Sequence, residues 1–376
     1  MALTAAGLLA AILIYLALEQ RRALRNRKTL QHVIHVNGIR GKSTVTRLID
    51  AGLRAGGFRV LCKTTGTVPM VIGTDGAARP LHRRGRANIR EQLDILRMAA
   101  RENARILVLE CMAVDPALQY VTQHKMVRAD IGVITNVRLD HTAEMGETLE
   151  EICDSLSNTI PKDGILFTAD GRFFGQIARN GEPLGCRTIL ALPEGDEPEV
   201  DFPENLALAL AVCRHLGIAK ETALEGMLRY RRDPYALSLH RLPGGGLFVN
   251  GLSINDPQST RLVYERLAKR LDWGGGELIL LINNRPDRGY RTEHMTMVAQ
   301  ALQPARVWLL GASRRSAART IAKKVPQAAI SLFSQAGDLP LDQVAQGTVV
   351  FAVGNVAGPG HELMKRVREE GEEYVL

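Results

Sequence analysis

Cysteine, aromatic residues and, at the amino terminus, charge are what this 376-residue chain has little of. Its five cysteines (Cys62, Cys111, Cys153, Cys186 and Cys213) are scattered, odd in number and never spaced C-x-x-C. That spacing excludes a disulfide framework and a cysteine zinc site, and it suits a reducing cytosol. Aromatic residues make up 5% of the chain and do not interleave with basic clusters, so no nucleic-acid partner is expected despite a net charge of +8. Half of that excess is local: "EQRRALRNRK", residues 19–28, holds five basic residues and one acidic one. Charge is missing altogether from "MALTAAGLLAAILIYLAL", residues 1–18. As a helix this stretch covers about 27 Å, close to the thickness of a bilayer's hydrocarbon core. The positive charge follows the apolar run and no small-residue cleavage site is evident, which argues against a signal peptide. The expectation is a single transmembrane helix over 1–18 and a basic juxtamembrane linker over 19–30. The positive-inside rule places Arg21, Arg22, Arg25, Arg27 and Lys28, and the body after them, in the cytoplasm of a cell membrane.

With 45% hydrophobic and 23% charged residues, the remainder has the composition of an ordinary globular protein. Short apolar runs alternate with amphipathic stretches, the rhythm of a parallel α/β fold. Strands are expected at 32–36, 105–109, 131–135 and 164–168, then at 246–249, 277–282, 306–310 and 348–353. Helices are expected at 43–55, 89–102, 206–216, 260–271, 315–324 and 362–370. "RYRRDPYALSLHRLPGGG", 229–246, reads as a junction between an ATP-binding domain (31–230) and a C-terminal domain (231–376).

The chemistry starts at "NGIRGKST", 37–44. An apolar strand enters two glycines, and Lys42 and Ser43 open an amphipathic helix. This is the arrangement a phosphate loop requires, although Gly38 and Gly41 are separated by only Ile39 and Arg40. Glycines let backbone N–H groups approach phosphate oxygens, and the helix dipole favours negative charge there. Lys42 would reach the β- and γ-phosphates, and Ser43 would offer its hydroxyl to Mg²⁺.

The spacing G-x-x-G-K-[ST] resembles that of the Mur ligase superfamily, which includes the peptidoglycan amino-acid ligases and folylpolyglutamate synthase. Two further motifs of that family have counterparts here. "ILVLECMAV" places Glu110 at a strand end, and "TNVRLDHTAEMG" supplies Thr135, Asn136, Asp140, His141 and Gly146. "VNGIRGKSTVTRLI", "KTTGT", "ECMAV", "FPENLALALAVCRHLGI", "FVNGLSINDPQST", "INNRPDRGYRT" and "VGNVAGPGHELM" resemble the membrane-anchored B subunits of bacterial poly-γ-glutamate synthases. The resemblance covers nearly the whole chain and is densest over 33–146.

The resemblance implies a Mur-ligase-like P-loop domain with a parallel sheet, followed by a smaller Rossmann-like domain. It implies an ADP-forming acid–amino-acid ligase that uses ATP and Mg²⁺, with Mn²⁺ as a substitute. The carboxylate is phosphorylated to an acyl phosphate, which an amine then attacks. Its substrates would be glutamate and a growing poly-γ-glutamate chain, in capsule or secreted-polymer synthesis. Its partners would be the membrane and the C- and A-type subunits of the synthase, and self-association is left open. Carried onto this sequence, Lys42, Glu110 and His141 are the catalytic residues, and Ser43, Glu110 and His141 the metal ligands. Nucleotide contacts fall to Gly38, Ile39, Arg40, Gly41, Lys42, Ser43, Thr44, Asn136, Asn205 and Arg285. Thr135 and Asn136 could equally end the strand in a turn, and Asn205 could either touch adenine or cap its helix. Arg83, Arg84 and Arg86 in "PLHRRGRANIREQ", with Arg288, are candidates for the substrate's carboxylates. The loop reads equally well as a solvated charge run.

Two departures matter. Several Mur ligases have a carbamylated lysine downstream of the histidine, and no lysine lies between Asp154 and Thr159 here. The substrate domain that precedes the phosphate loop in the peptidoglycan ligases is also missing. A membrane-anchored P-loop ATPase that drives polymer transport or assembly without forming the amide bond is the alternative. "TNVRLDH" weighs against it.

Overall fold

The computed structural model describes residues 2–66, 68–83, 85, 87–195, 202–233, 235–254, 256–271, 276–284 and 290–374. The chain divides into two compact units, 1–233 and 234–376.

In the first unit the strands are β1 (His32–Asn37), β2 (Val60–Thr64), β3 (Met70–Ile72), β4 (Ala78–Pro80), β5 (Ile106–Glu110), β6 (Ile131–Ile134), β7 (Ile165–Thr168) and β8 (Arg187–Leu190). The helices are α1 (Ala2–Lys28), α2 (Lys42–Ala55), α3 (Glu91–Arg101), α4 (Pro116–Val121), α5 (Thr142–Met145), α6 (Leu149–Ser157), α7 (Phe174–Gly181), α8 (Pro203–His215) and α9 (Lys220–Leu228). The sheet order is β4-β3-β2-β5-β1-β6-β7-β8. Pairing is parallel from β2 through β8, while β3 and β4 form an antiparallel margin. β1 and β5 are almost wholly buried, as strands covered on both faces are; β5 reads as an apolar run up to Glu110, while β1 buries His35 and Asn37 among its apolar residues. β1 lies between β5 and β6, with Val36 beside Glu110 and Asn37 beside Ile134. Three loops therefore leave the carboxyl ends of neighbouring strands together, where open α/β sheets bind their ligands. α2 buries Val45, Leu48, Ile49 and Leu53 into a core shared with α8 and α9.

The second unit contains β9 (Ser238–Arg241), β10 (Leu247–Gly251), β11 (Glu277–Asn284), β12 (Arg306–Gly311), β13 (Ala329–Phe333), β14 (Thr348–Val353) and β15 (Glu372–Tyr374). Its helices are α10 (Pro257–Leu271), α11 (Tyr290–Leu302), α12 (Arg314–Lys324) and α13 (Pro359–Glu370). The order is β13-β12-β11-β14-β10-β9-β15, parallel through β10, with β9 and β15 antiparallel at one margin.

All eight expected strands and all six expected helices are present, with small shifts at their ends. Two of the segments assigned from the sequence differ from expectation. The basic stretch after residue 18 continues the apolar helix without a break to Lys28, because no glycine or proline interrupts residues 8–28. The Arg-, Pro- and Gly-rich stretch 229–246 is not all connector, since β9 lies within it and pairs with β10. All five cysteines are buried thiols, and burial pushes Cys153 and Cys213 up to about 12.

Candidate active site

The loop between β1 and α2 holds two glycines in the left-handed region, Gly38 at φ 125° and Gly41 at φ 80°. Neither position has room for a side chain. A Cβ on Gly38 would sit 2.1 Å from Thr135 Oγ1, and one on Gly41 would sit 2.5 Å from Asn205 Oδ1. The loop is tied to the two residues that follow β6 by hydrogen bonds at Arg40. Its N–H donates to Asn136 Oδ1 at 3.0 Å, and its carbonyl accepts from Thr135 Oγ1 at 2.6 Å and Asn136 Nδ2 at 3.1 Å. Thr135 and Asn136 thus hold the loop's shape. Arg40 Nη2 donates to the buried Asp140 at 2.8 Å, whose other oxygen accepts from the His141 backbone at 2.9 Å. His141 has φ 53°, and its Nε2 is 3.7 Å from Asp140 Oδ2.

Gly41 is the residue before α2, with no side chain capping the helix, so the first-turn N–H groups are available to an anion. Lys42 Nζ curls back to donate to the carbonyls of Gly38 at 2.6 Å and Ile39 at 3.2 Å. Desolvation lowers the pKa of Lys42 from its ordinary value, and the nearby Glu110 carboxylate opposes that fall. Ser43 Oγ donates to Glu110 Oε2 at 2.8 Å, and the same oxygen accepts the Thr65 N–H at 2.6 Å. Thr44 occupies the first turn of α2 behind Ser43, and Ile39 is buried in the core beneath the loop.

A hydroxyl and a carboxylate in contact beside a helix N-terminus fit Mg²⁺, which takes one or two carboxylates and completes its shell with phosphate oxygens and water. Among the described residues no three His, Cys, Asp or Glu side chains come together as a metal cage, so Ser43 and Glu110 are the pair that fits. The structure groups His141 with Asp140 and Arg40. Asn205 does not cap α8, whose N-cap is Phe202, and its side chain packs against Gly41.

The basic loop before α3 resolves differently from either expectation. Arg83 grips Glu91 through Nε at 2.7 Å and Nη2 at 2.9 Å, and Lys63 Nζ reaches the same carboxylate at 2.6 Å. Lys63 has no exposed side-chain surface. Burial lowers its pKa while Glu91 opposes the shift. Arg90 pairs with Glu19 of α1. Arg84, Arg86, Arg285 and Arg288 lie outside the described residues. Sequence reasoning assigned no role to Lys63, Thr65 or Gln92, whose amide nitrogen donates to the Glu110 carbonyl at 3.3 Å. The signal available for the first two was the "KTTGT" stretch.

Residues 36–191 match the Mur ligase middle domain, and residues 240–370 match the poly-gamma-glutamate synthase CapB C-terminal domain. The capsule biosynthesis protein CapB of Bacillus anthracis is 33% identical over 391 residues, covering 96% of this chain and 81% of that protein. The chain belongs to the CapB family. The PGA synthase CapB of Bacillus subtilis is 32% identical, covering 96% of both chains. In fold, the chain resembles a bifunctional folylpolyglutamate synthase/dihydrofolate synthase of Yersinia pestis crystallised with AMPPNP and Mn. That match has a TM-score of 0.71 at 17% identity over 92% of both chains.

Proposed function

We propose that this CapB-family protein is an ATP-dependent amide ligase that polymerises glutamate into poly-γ-glutamate at the cytoplasmic face of the membrane, for a capsule or secreted polymer. The contact between Ser43 and Glu110 beside Lys42 carries the reading, because it brings a hydroxyl from the start of α2 and a carboxylate from the end of β5 together at the mouth of one phosphate loop. A glutamate γ-carboxylate attacks the γ-phosphorus of ATP, the bond to ADP breaks, and an acyl phosphate forms. The amine of a second glutamate unit then attacks the acyl carbon, loses a proton and expels phosphate.

Both steps bring anions together, so the protein's work is positioning and charge neutralisation. Ser43 and Glu110 would hold Mg²⁺, which when bound would supply positive charge at the phosphate oxygens. Lys42 leaves the loop carbonyls for the β- and γ-phosphates, where one opposite charge about 4 Å away is worth about 4 kcal/mol at an effective dielectric near 20. The loop's N–H groups cradle the phosphates, and Asp140 with His141 holds Arg40 and the loop in register. α1 is long and apolar enough to cross a bilayer, and its basic end keeps the body in the cytoplasm. One helix forms no conduit, so the synthase's C- and A-type subunits, small membrane proteins and an extracytoplasmic one, take the product away.

Membranes carrying the protein and its partners, given ATP, Mg²⁺ and labelled glutamate, should yield ADP and labelled polymer together. Lys42→Ala should abolish both while the protein stays membrane-bound. ADP without polymer would favour a transport ATPase instead.

A further inference from the structure

The direction in which α1 leaves the first unit orients the site. α3 starts at the carboxyl-end edge of the sheet: Glu91 pairs with Lys63 near the end of β2, and Gln92 donates to Glu110 at the end of β5. α1 runs parallel to α3. Glu19 and Tyr15 meet Arg90, immediately before α3, and one groove is lined further along by Asn26 of α1 and by Leu93 and Arg97 of α3. The other end of α1 is pinned at the opposite edge. There Arg27 donates to the Arg128 carbonyl at 2.9 Å and to Asp130 at 2.7 Å, just before β6 begins. Residues 4–14 consequently project beyond the edge that bears the phosphate loop, and Leu8, Leu9, Ile12, Leu13 and Ile14 are exposed there.

The geometry points to a ligase whose catalytic edge faces the bilayer, close to the anionic headgroups of the cytoplasmic leaflet. This rests on the reading of α1 as a membrane anchor. The apolar run ends at Leu18, and Glu19 lies level with Arg90, two residues from Gln92. Two residues of helix rise about 3 Å, so Glu110 and Ser43 lie within about one helical turn of the headgroup level along the helix axis. A tilt of about 20° does not reverse which edge faces the lipid. The segment after β4 leaves the sheet at the same edge, and its sequence, "LHRRGRANIR", has Arg84 and Arg86 beyond the Arg83 and Arg90 that pair with Glu91 and Glu19, a positive excess complementary to an anionic surface. The unbroken helix between anchor and body makes this orientation a property of the chain. Growing polyanion would then be released where a bilayer-embedded partner can take it directly.

The test uses the full chain in nanodiscs whose anionic lipids carry a nitroxide on the headgroup. Fluorophores are placed at Ala87→Cys on the site edge and at Lys162→Cys before β7 on the far edge, both at exposed positions, while the five native thiols are buried. The edges are separated by about 17 Å of strand, so quenching at position 87 should exceed that at 162 by about threefold or more. Equal or stronger quenching at 162, in protein that co-elutes with the discs, would overturn the orientation and leave the anchor standing. Protein that separates from the discs with neither probe quenched would overturn both.

Discussion

The Ser43 hydroxyl donates to Glu110 Oε2 across 2.8 Å, joining the first turn of α2 to the end of β5. Sixty-seven positions of chain separate the two, and in the proposed function their meeting supplies the pair that would hold Mg²⁺. Glu110→Gln keeps the shape and removes the charge. The Mg²⁺ concentration for half-maximal ADP formation should rise at least about tenfold, because a neutral amide is a poor partner for a hard dication. A titration of activity against Mg²⁺ checks this, and an unchanged midpoint would remove Glu110 from the metal site.

Gly38 has the tightest clearance in the loop. A Cβ there would strike Thr135 Oγ1 at 2.1 Å and the Thr135 backbone nitrogen at 2.8 Å, at a φ that already disfavours any side chain. Gly38→Ala should cost about 1–3 kcal/mol of stability and at least about tenfold in ATP affinity, since the loop must leave β6. Gly57→Ala is the control, with φ +83° and no atom within 4 Å of its Cβ. It should bear only backbone strain of about 1–2 kcal/mol and bind nucleotide normally. Urea unfolding and calorimetric titration with ATP separate the two.

Arg83 was a candidate for recognising the substrate's carboxylates, and in the structure Glu91 occupies its guanidinium. Arg83→Ala should lower stability by about 1 kcal/mol, a modest figure because the pair is partly exposed to solvent. KM for glutamate should be unchanged. A raised KM with normal stability would return Arg83 to the substrate.

His35 makes stability depend on pH. It is wholly buried in β1, its Nδ1 lies 2.9 Å from Gln123 Oε1, and burial lowers its pKa from 6.5 to about 4. The unfolded chain therefore binds a proton between about pH 6.5 and pH 4 that the native protein refuses. This contribution is fully present above pH 6.5 and is lost progressively as pH falls to about 4, amounting to about 3 kcal/mol. Denaturant midpoints at pH 7 and pH 4.5 should diverge less in His35→Leu than in the unaltered protein.

The phosphate loop was legible because its cues are local: apolar β1, two glycines, Lys42 and Ser43 adjoin in the chain. The alternating rhythm likewise predicted eight strands and six helices. β2 was missed because "VLCKT" is short and carries a lysine, and that lysine is buried because the Glu91 carboxylate pairs with it. The roles of Thr135 and Asn136 stayed open because their partner, the carbonyl of Arg40, lies about a hundred residues away.

By itself, then, the sequence determined the loop, the helix that follows it, the apolar amino terminus and the family, all of which depend on neighbours along the chain. Tertiary structure alone decided which strands lie side by side. That order paired Ser43 with Glu110, wedged Thr135 against Gly38, gave Arg83 to Glu91, and sent α1 out past the catalytic edge. Connectivity specifies what each segment can form, but only the packing of strands from distant parts of the chain sets which charges and hydroxyls come within bonding distance.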